Sequence, residues 1–376
     1  MNTAKTPENK HTNPPKPEAN QPSLPPAGPV WFPSVMGTGI LTTLLIQHAA
    51  HIPTAAHLAL LTLFLAWSLL LFLTLAFLYR GISNPRVFSE ALYSPAIIPF
   101  WGTVSMGYLS VGSATATAVP YHWPKLTELA WQIDTVMWLI GAAIGILSAF
   151  YFAIRMVGTS LGTPNFVWGL AVVGPMVAAT SGANLSTHLP ENWGPLVLIF
   201  SITGFMVSFT LGWAIFIQAY YQFFTVQPLP LIASASSWIP LGLVGQSTAA
   251  VQAFVVSGKE FATGRLIEDL VSLANWYGFV MFAVGTPLTL WATIVTIRGF
   301  AQKMPFTPSW WATTFPIGTL ALGATALGKS LESSLLIWLG AANTLVLCAT
   351  VTLSLTASLR AITAKTKLLP NLNRTT

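Results

Sequence analysis

Long apolar stretches separated by short polar gaps fill the chain from about residue 30 to residue 360. A helix needs about 20 apolar residues to cross about 30 Å of hydrocarbon, and ten stretches of that length follow one another. They lack the period-two alternation of a transmembrane β-barrel. We therefore predict an all-α integral membrane fold. Its ten transmembrane helices are expected at residues 30–48, 57–79, 95–119, 129–154, 166–187, 195–224, 233–256, 271–297, 308–328 and 333–359.

A proline recurs in every odd-numbered predicted span, at steps of 66, 76, 65 and 76 residues. Two spans and their connections occupy about that length, so the repeating unit is a helical hairpin that occurs five times. A proline leaves a backbone carbonyl without its helical donor, which lipid cannot replace. We predict five hairpins in a pseudo-fivefold arrangement around a central pore, with kinked odd-numbered helices inside. The pore-lining kinks are expected at Pro33, Pro99, Pro175, Pro240 and Pro316.

Small and polar residues beside these prolines would let helices approach closely or leave a lumen open. The apolar cores of the odd-numbered spans contain no ionisable side chain, so hydroxyls and free backbone groups would give the pathway a preference for anions. The alternative is that these residues serve packing only, and that Pro33 is a first-turn proline. The predicted pore-lining residues are Gly37, Thr38, Gly39, Gly102, Thr103, Thr180, Gly242, Gln246 and Gly318.

Composition excludes a water-soluble globule, because only 7% of the 376 residues are charged and 53% are hydrophobic. The net charge of +6 does not indicate nucleic-acid binding, since the basic residues lie in short gaps between apolar stretches. The single cysteine, Cys348, cannot form an intramolecular disulfide or a thiolate metal cluster. We expect no enzyme, no cofactor and no metal.

Basic residues are distributed unevenly between the two predicted sides of the membrane. With a cytoplasmic N-terminus, twelve of the 16 lie on cytoplasmic segments, against Lys125, Lys259, Arg265 and Lys329 on the other side. The positive-inside rule then predicts a multi-pass protein of the cytoplasmic membrane with both termini in the cytoplasm. Four of the twelve would surround the inner mouth, either as a collar that attracts anions or as orientation signals only. They are Arg80, Arg86, Arg298 and Lys303.

The two ends of the chain differ from its middle. Residues 1–29 contain eight prolines and few bulky apolar groups, so we expect a disordered cytoplasmic tail. Residues 361–376 are predicted to form a second cytoplasmic tail, and residues 30–360 a single transporter or channel domain.

Few titratable residues lie in or near the predicted spans. Asp134 is the one carboxylate well inside a span, where it would form a structural hydrogen bond or couple a proton. Histidines near the predicted outer face could sense acid, but their spacing does not build a metal site. They are His48, His51, His57, His122 and His188.

The strings WFPSVMGTGI at residues 31–40 and WWATTFPIG at residues 310–318 resemble the tellurite-resistance/dicarboxylate transporter family. That family includes malate permeases, sulfite efflux pumps and the slow anion channels of guard cells. The likeness extends from about residue 30 to residue 360. It implies a central pore in each subunit of a homotrimer and an aromatic gate on the ninth helix. Phe315 would be that gate, Phe32 is its rival in the first repeat, and packing is the alternative role for Phe315.

The main hypothesis is therefore the transport of small anions across a lipid bilayer. The resemblance places C4-dicarboxylates such as malate first among the substrates, with sulfite or tellurite oxyanions next. The alternative from another class is a membrane-embedded enzyme or sensor that binds a lipidic ligand. A flux measurement separates the two, because an enzyme shows turnover without net passage of solute.

Overall fold

The computed structural model describes residues 24–158, 161–261 and 263–372, and these residues are helical without a β-strand. Each predicted span coincides with one long helix, and a short helix, α3, was not predicted. The α-helices are Pro33–His48 (α1), Pro53–Ser83 (α2), Arg86–Tyr93 (α3), Trp101–His122 (α4), Thr127–Gly158 (α5), Leu170–Ser186 (α6), Gly194–Tyr221 (α7), Ile239–Gly258 (α8), Arg265–Ala301 (α9), Phe315–Ser330 (α10) and Ser334–Leu372 (α11).

Eight of the helices in the described part of the chain are long and apolar enough to cross a membrane, five of them when counted with an adjoining 3-10 or π turn. The two other helices that match predicted spans are α4, which is rich in glycine, serine and threonine, and α10, which has only 16 residues. Both are packed inside the bundle, so their surroundings are protein and not lipid along most of their length: α4 buries 14 of its 22 residues and α10 buries 12 of its 16.

The ten long helices fall into two classes by burial. In the most apolar stretches of α1, α6 and α8, 83%, 94% and 83% of the residues are buried, and α4 and α10 resemble them. We call these five the inner helices. In α2, α5, α7, α9 and α11 only 22–39% of the corresponding stretches are buried, and we call them the outer helices.

The inner helices contact one another in a closed cycle, α1 to α4, α6, α8, α10 and back to α1. Each outer helix packs against the inner helix before it in the chain and also against the next inner helix of the cycle. Glycines permit the closest approaches. A side chain at Gly245 of α8 would collide with the backbone of Thr319 and Leu320 in α10, and one at Gly102 of α4 with the backbone of Leu170.

A short 3-10 turn precedes every inner helix, and a tryptophan lies in or directly after each turn. The indole nitrogens of Trp238 and Trp311 donate to Thr296 of α9 and Ser358 of α11, so they tie the start of an inner helix to its outer partner. The five tryptophans recur at steps of 70, 67, 70 and 73 residues. They are Trp31, Trp101, Trp168, Trp238 and Trp311.

The prediction of five proline kinks is wrong at four positions. Pro33, Pro240 and Pro316 lie at the first or second residue of their helices, and Pro99 lies in the 3-10 turn before α4. A proline in a first turn removes an N–H that has no helical acceptor anyway, so the helix begins there and does not bend. Pro175 alone of the five lies inside its helix, α6.

Within the described residues, regular structure or contacts extend beyond both limits of the predicted 30–360 domain. The carbonyls of Pro25 and Ala27 accept hydrogen bonds from Trp31 and Arg80, so the bundle begins before residue 29. At the other end, α11 continues through residue 372. Residues 1–23 and 373–376 lie outside the described residues.

Candidate functional site

A cavity of about 580 Å³ lies between the inner helices. It extends along α10 from Phe315 to Ser330, a helix rise of about 22 Å. Every inner helix contributes its C-terminal half to the wall, and Val271 of α9 completes it. We call this cavity the vestibule. It opens at the end of the bundle where the inner helices terminate.

The same spacing of residues lines the vestibule on all five inner helices. Each contributes positions i, i+3 and i+7, which share one face of an α-helix. Five equivalent triplets therefore supply 15 of the 25 lining residues. They are Ile40, Thr43 and Gln47; Ser110, Ser113 and Thr117; Val177, Thr180 and Asn184; Gln246, Ala249 and Ala253; and Leu322, Thr325 and Lys329.

Hydroxyl and amide groups supply most of the polarity of the vestibule. The Gln246 side chain donates a 2.8 Å hydrogen bond to Thr180 Oγ1 and so joins α8 to α6 across the wall. Gln252, also in the lining, donates a 3.0 Å bond to Asn275 Oδ1 of α9. These bonds fix the amide groups at the wall, while Thr117 and Asn184 remain accessible nearer the opening.

The charged residues of the lining are two lysines, Lys259 and Lys329, and the lining contains no carboxylate. Lys259 directly follows α8 and Lys329 lies in the last turn of α10, so both stand at the open end. Both side chains are exposed. In the sequence they are two of the four basic residues expected on the outer side of the membrane.

Phe315 forms the closed end of the vestibule and is 3% exposed. The first turn of α10, which carries Phe315, packs closely against α1 at two points. Gly37 of α1 lies against Thr314, and Gly318 of α10 lies against Ile40, so a larger residue at either glycine would push α1 and α10 apart. The ring is therefore held between α1 and α10 at the deep end of the vestibule.

Phe32, the rival gate, lies elsewhere. It packs with Trp31, Val35 and Val104 in a cluster between α1, α2 and α4, and its ring contacts the α4 backbone at Gly107. The vestibule does not reach it. Its position is that of a packing residue.

Of the nine predicted pore-lining small and polar residues, only Thr180 and Gln246 lie in the wall of the vestibule. Thr38 and Thr103 are fully buried and bond to backbone carbonyls. Of the glycines, an added Cβ at Gly242 would meet only Pro316, at 3.8 Å, whereas at the other four it would collide with a neighbouring segment. Those four are Gly37, Gly39, Gly102 and Gly318. The five predicted prolines also lie outside the vestibule wall.

The predicted inner collar lies at the opposite end of the bundle and is carried by outer helices or connections. Arg80 and Arg298 are in the last turns of α2 and α9. Arg80 donates to the Ala27 carbonyl, which gives it a structural partner. Arg86 begins α3, and Lys303 follows α9 with a left-handed φ of 57°.

The remaining titratable candidates stand outside the vestibule wall. Asp134 of α5 is 2% exposed and faces Gly112 of α4, the residue before Ser113. His122 bonds to the Ala56 carbonyl. His188 stacks on Trp131 with ring centroids 3.6 Å apart, and partial burial lowers the pKa of His188.

Two short strings match catalytic patterns, although we expected no catalytic site. Residues 323–330 read G-x-x-x-x-G-K-S, the pattern of a phosphate-binding loop. Such a loop connects a strand to a helix, whereas this string is the helical second half of α10 and offers no loop of free N–H groups. A G-x-S-x-G pattern at residues 158–162 includes residues 159 and 160, which lie outside the described residues.

Among the described residues no group of three or more histidine, cysteine, aspartate or glutamate side chains could hold a metal ion. The vestibule thus offers hydroxyls, amides and two ammonium groups around a space large enough for a hydrated small anion. These groups bind and orient, and the wall contains no paired acid and base for covalent chemistry.

Comparisons with known proteins agree over most of the chain. A family model described as SLAC1, voltage-dependent anion channel, matches residues 27–359. The sulfite efflux pump SSU1 of Trichophyton rubrum is 27% identical over 322 residues, which cover 81% of this chain and 82% of the pump. An uncharacterised transporter of Methanocaldococcus jannaschii is 25% identical over 291 residues, covering 77% of this chain and 81% of that protein.

Proposed function

This chain belongs to the SLAC1 family of voltage-dependent anion channels, and we propose that it carries small oxyanions through the vestibule and past Phe315. Its membership confirms the resemblance in the two strings, and it is a multi-pass membrane protein that transports anions. The observation that carries the proposal is the lining of the vestibule. Five helices present hydroxyls, amides and lysines to one space without a carboxylate.

We further propose that all ten long helices cross the membrane as five hairpins related by a pseudo-fivefold axis. Five equivalent lining triplets and the closed cycle of inner helices support this arrangement. Positive-inside counting supports cytoplasmic termini in the cytoplasmic membrane, so the vestibule would open to the outside. A homotrimer rests on the family resemblance, and chemical crosslinking in membranes would test it.

In the proposed mechanism, an anion exchanges part of its hydration shell for hydroxyl and amide donors on the vestibule wall. It then waits above the Phe315 ring. Displacement of that ring would join the vestibule to the opposite side, because the ring is the bulky apolar group at the closed end. Thr314 and Gly37 limit the ring's movement on the side of α1, so a small rotation at the start of α10 would control passage.

Among substrates, sulfite is the first candidate and C4-dicarboxylates such as malate are the second. The relatives with an assigned activity are sulfite efflux pumps, and this supports sulfite over the malate that sequence reasoning placed first. Hydroxyls, amides and ammonium groups recognise the sign and size of an anion more than its identity. Malate and tellurite therefore belong in the test.

The test is tracer flux in proteoliposomes with sulfite, malate, tellurite and chloride, each with and without a pH gradient. We expect sulfite to pass fastest. A dependence on the gradient would identify proton coupling, and its absence a passive channel. Flux no greater than in protein-free liposomes for every anion would overturn the proposal and favour a lipid-binding sensor.

A further inference from the structure

We propose that Lys259 and Lys329 form an anion-binding site at the opening of the vestibule that favours doubly charged over singly charged anions. The inference deepens the proposed function and rests on it for the biological role of the site. It concerns the end of the bundle opposite the predicted inner collar of three arginines and Lys303.

The two lysines come from neighbouring inner helices. Helices α8 and α10 pack closely along their length, and each places one lysine at its C-terminal end, where both side chains line the vestibule. Neither lysine forms an ion pair with a carboxylate in the part of the chain that the structure describes. Their charge is therefore available to a ligand in the opening.

The direction of the inner helices makes these charges necessary. All five run with their C-termini toward the opening, since their lining residues reach Gln47, Thr117, Asn184, Val256 and Ser330. A helix C-terminus carries a partial charge of about −0.5, so five converging ends would repel an anion. The two positive charges of the lysines offset most of the summed negative charge of the five helix ends. Next to the ends of α8 and α10, where the lysines stand, the local potential becomes positive.

Preference for a dianion follows from Coulomb's law. The interaction energy with the two ammonium groups is proportional to the charge of the ligand, so it is twice as large for a dianion as for a monoanion. The factor by which the lysines raise the binding constant is therefore squared for the dianion. Gln47, Thr117 and Asn184 add uncharged polar groups at the same opening, and these do not discriminate by charge.

The experiment measures binding of sulfite and of nitrate to the purified protein by calorimetry at low ionic strength, at a pH where sulfite is a dianion. We expect the K259Q/K329Q double variant to weaken sulfite binding about tenfold and nitrate binding about threefold. Both losses of affinity should become smaller as the salt concentration is raised, because salt screens the attraction between the solvent-exposed lysines and the anion. A K259R/K329R variant should retain the binding of both ions.

Lys125 supplies the matched control. It is exposed at the same end of the bundle, in the turn before α5, but lies outside the vestibule lining. The K125Q variant should change neither binding constant by more than about 1.5-fold. The proposed site is contradicted if the double variant loses equal affinity for sulfite and nitrate, or loses none. It is also contradicted if K125Q loses as much affinity as the double variant, or if the parent protein binds neither anion.

Flux measured on the same proteins separates this inference from the proposed function. Charge-dependent binding without sulfite flux would refute transport and leave the binding site intact. Sulfite flux together with an unchanged sulfite affinity in the double variant would support the proposed transport and refute the proposed binding site.

Discussion

Inner and outer helices differ in the surroundings to which their side chains are suited, protein for the inner helices and lipid for the outer ones. Helix α6 is 94% buried in its apolar stretch and consists largely of alanine, glycine, valine and serine. Helix α9 is 22% buried there, has 37 residues, and exposes Trp276, Phe279 and Ile294. The exposed faces of the outer helices thus carry many bulky apolar side chains, whereas small residues predominate in an inner helix such as α6.

The contrast has a physical cause. Lipid solvates bulky apolar side chains as well as a protein interior does, so burial of such residues adds little driving force between helices. Close backbone approach and interhelical hydrogen bonds hold the inner helices together. Ser105 donates to the Gly141 carbonyl at 2.6 Å and Ser208 to the Val172 carbonyl at 2.7 Å, each bond linking an inner to an outer helix. Small residues also leave room for the vestibule.

The largest expected effect comes from adding one methyl group between inner helices. In Gly245→Ala the new carbon would meet the backbone of Thr319 and Leu320, which cannot rotate away. We expect a loss of about 3 kcal/mol or failure to fold. Thermal unfolding in detergent, followed by tryptophan fluorescence, measures it. The control is Gly158→Ala at the end of α5, where the added Cβ would meet no atom of a described, non-neighbouring residue within 4 Å and stability should be unchanged.

The second effect concerns the closed end of the vestibule. Phe315→Ala removes the ring that separates the vestibule from the other side, so anion flux into liposomes should rise roughly tenfold. Phe32→Ala removes a ring of the same size from a packing cluster and should lower stability without raising flux. If flux rises in Phe32→Ala and stays unchanged in Phe315→Ala, the gate is Phe32 and not Phe315.

A third effect distinguishes a polar wall from a lipid-facing surface. Gln246→Leu removes the bond to Thr180 and one amide from the vestibule, so sulfite flux should fall about threefold to tenfold, with about 1 kcal/mol lost in stability. Gln218 of α7 is exposed and bonds only to the Ala214 carbonyl of its own helix. Gln218→Leu should leave flux unchanged. Similar flux in both variants would contradict a functional wall.

The smallest effect concerns the stack that links α5 to the connection after α6. Partial burial lowers the pKa of His188 from its ordinary value of 6.5, so the fold favours the neutral ring. Stability is therefore unaffected well above pH 6.5 and decreases as the pH falls through this value toward the lowered one. The decrease should be slight, since the ring is largely exposed. Thermal unfolding measured against pH should show this decrease in the parent protein and not in His188→Gln.

The sequence predicted every long helix, although α4 and α10 do not reach the length and hydropathy of a spanning helix. It also predicted that the odd-numbered spans differ from the others. It placed the wall poorly, since a glycine such as Gly39 or Gly102 serves close packing and an open lumen equally well in a one-dimensional pattern. Helix α3 was missed because eight residues of mixed polarity, from Arg86 to Tyr93, carry no hydropathy signal.

A better signal was present in the tryptophans. Counted from Trp31, Trp101 and Trp168, the vestibule triplets of α1, α4 and α6 all fall at +9, +12 and +16. In α8 the triplet falls one position earlier, and in α10 two positions later. The prolines mark helix starts at variable distances, whereas the tryptophans anchor each start to the surrounding bundle. Aligning the repeats on tryptophan would have selected the wall residues of α1, α4 and α6 from the sequence, but at +16 in α10 it gives Leu327 and not Lys329.

The most direct test of the central claim, that the inner helices surround a water-filled vestibule closed by Phe315, is thiol accessibility. The lone cysteine makes this simple, since Cys348→Ser alone gives a cysteine-free background. Single cysteines are placed at Thr117 and Asn184 in the wall, and at Phe64 on the lipid-facing side of α2, which is 73% exposed in the isolated chain. A charged, membrane-impermeant thiol reagent should modify Thr117→Cys and Asn184→Cys from one side of the membrane only and slow anion flux, while Phe64→Cys stays unmodified. Unreactive wall positions, or equal reaction at Phe64→Cys, would contradict the account.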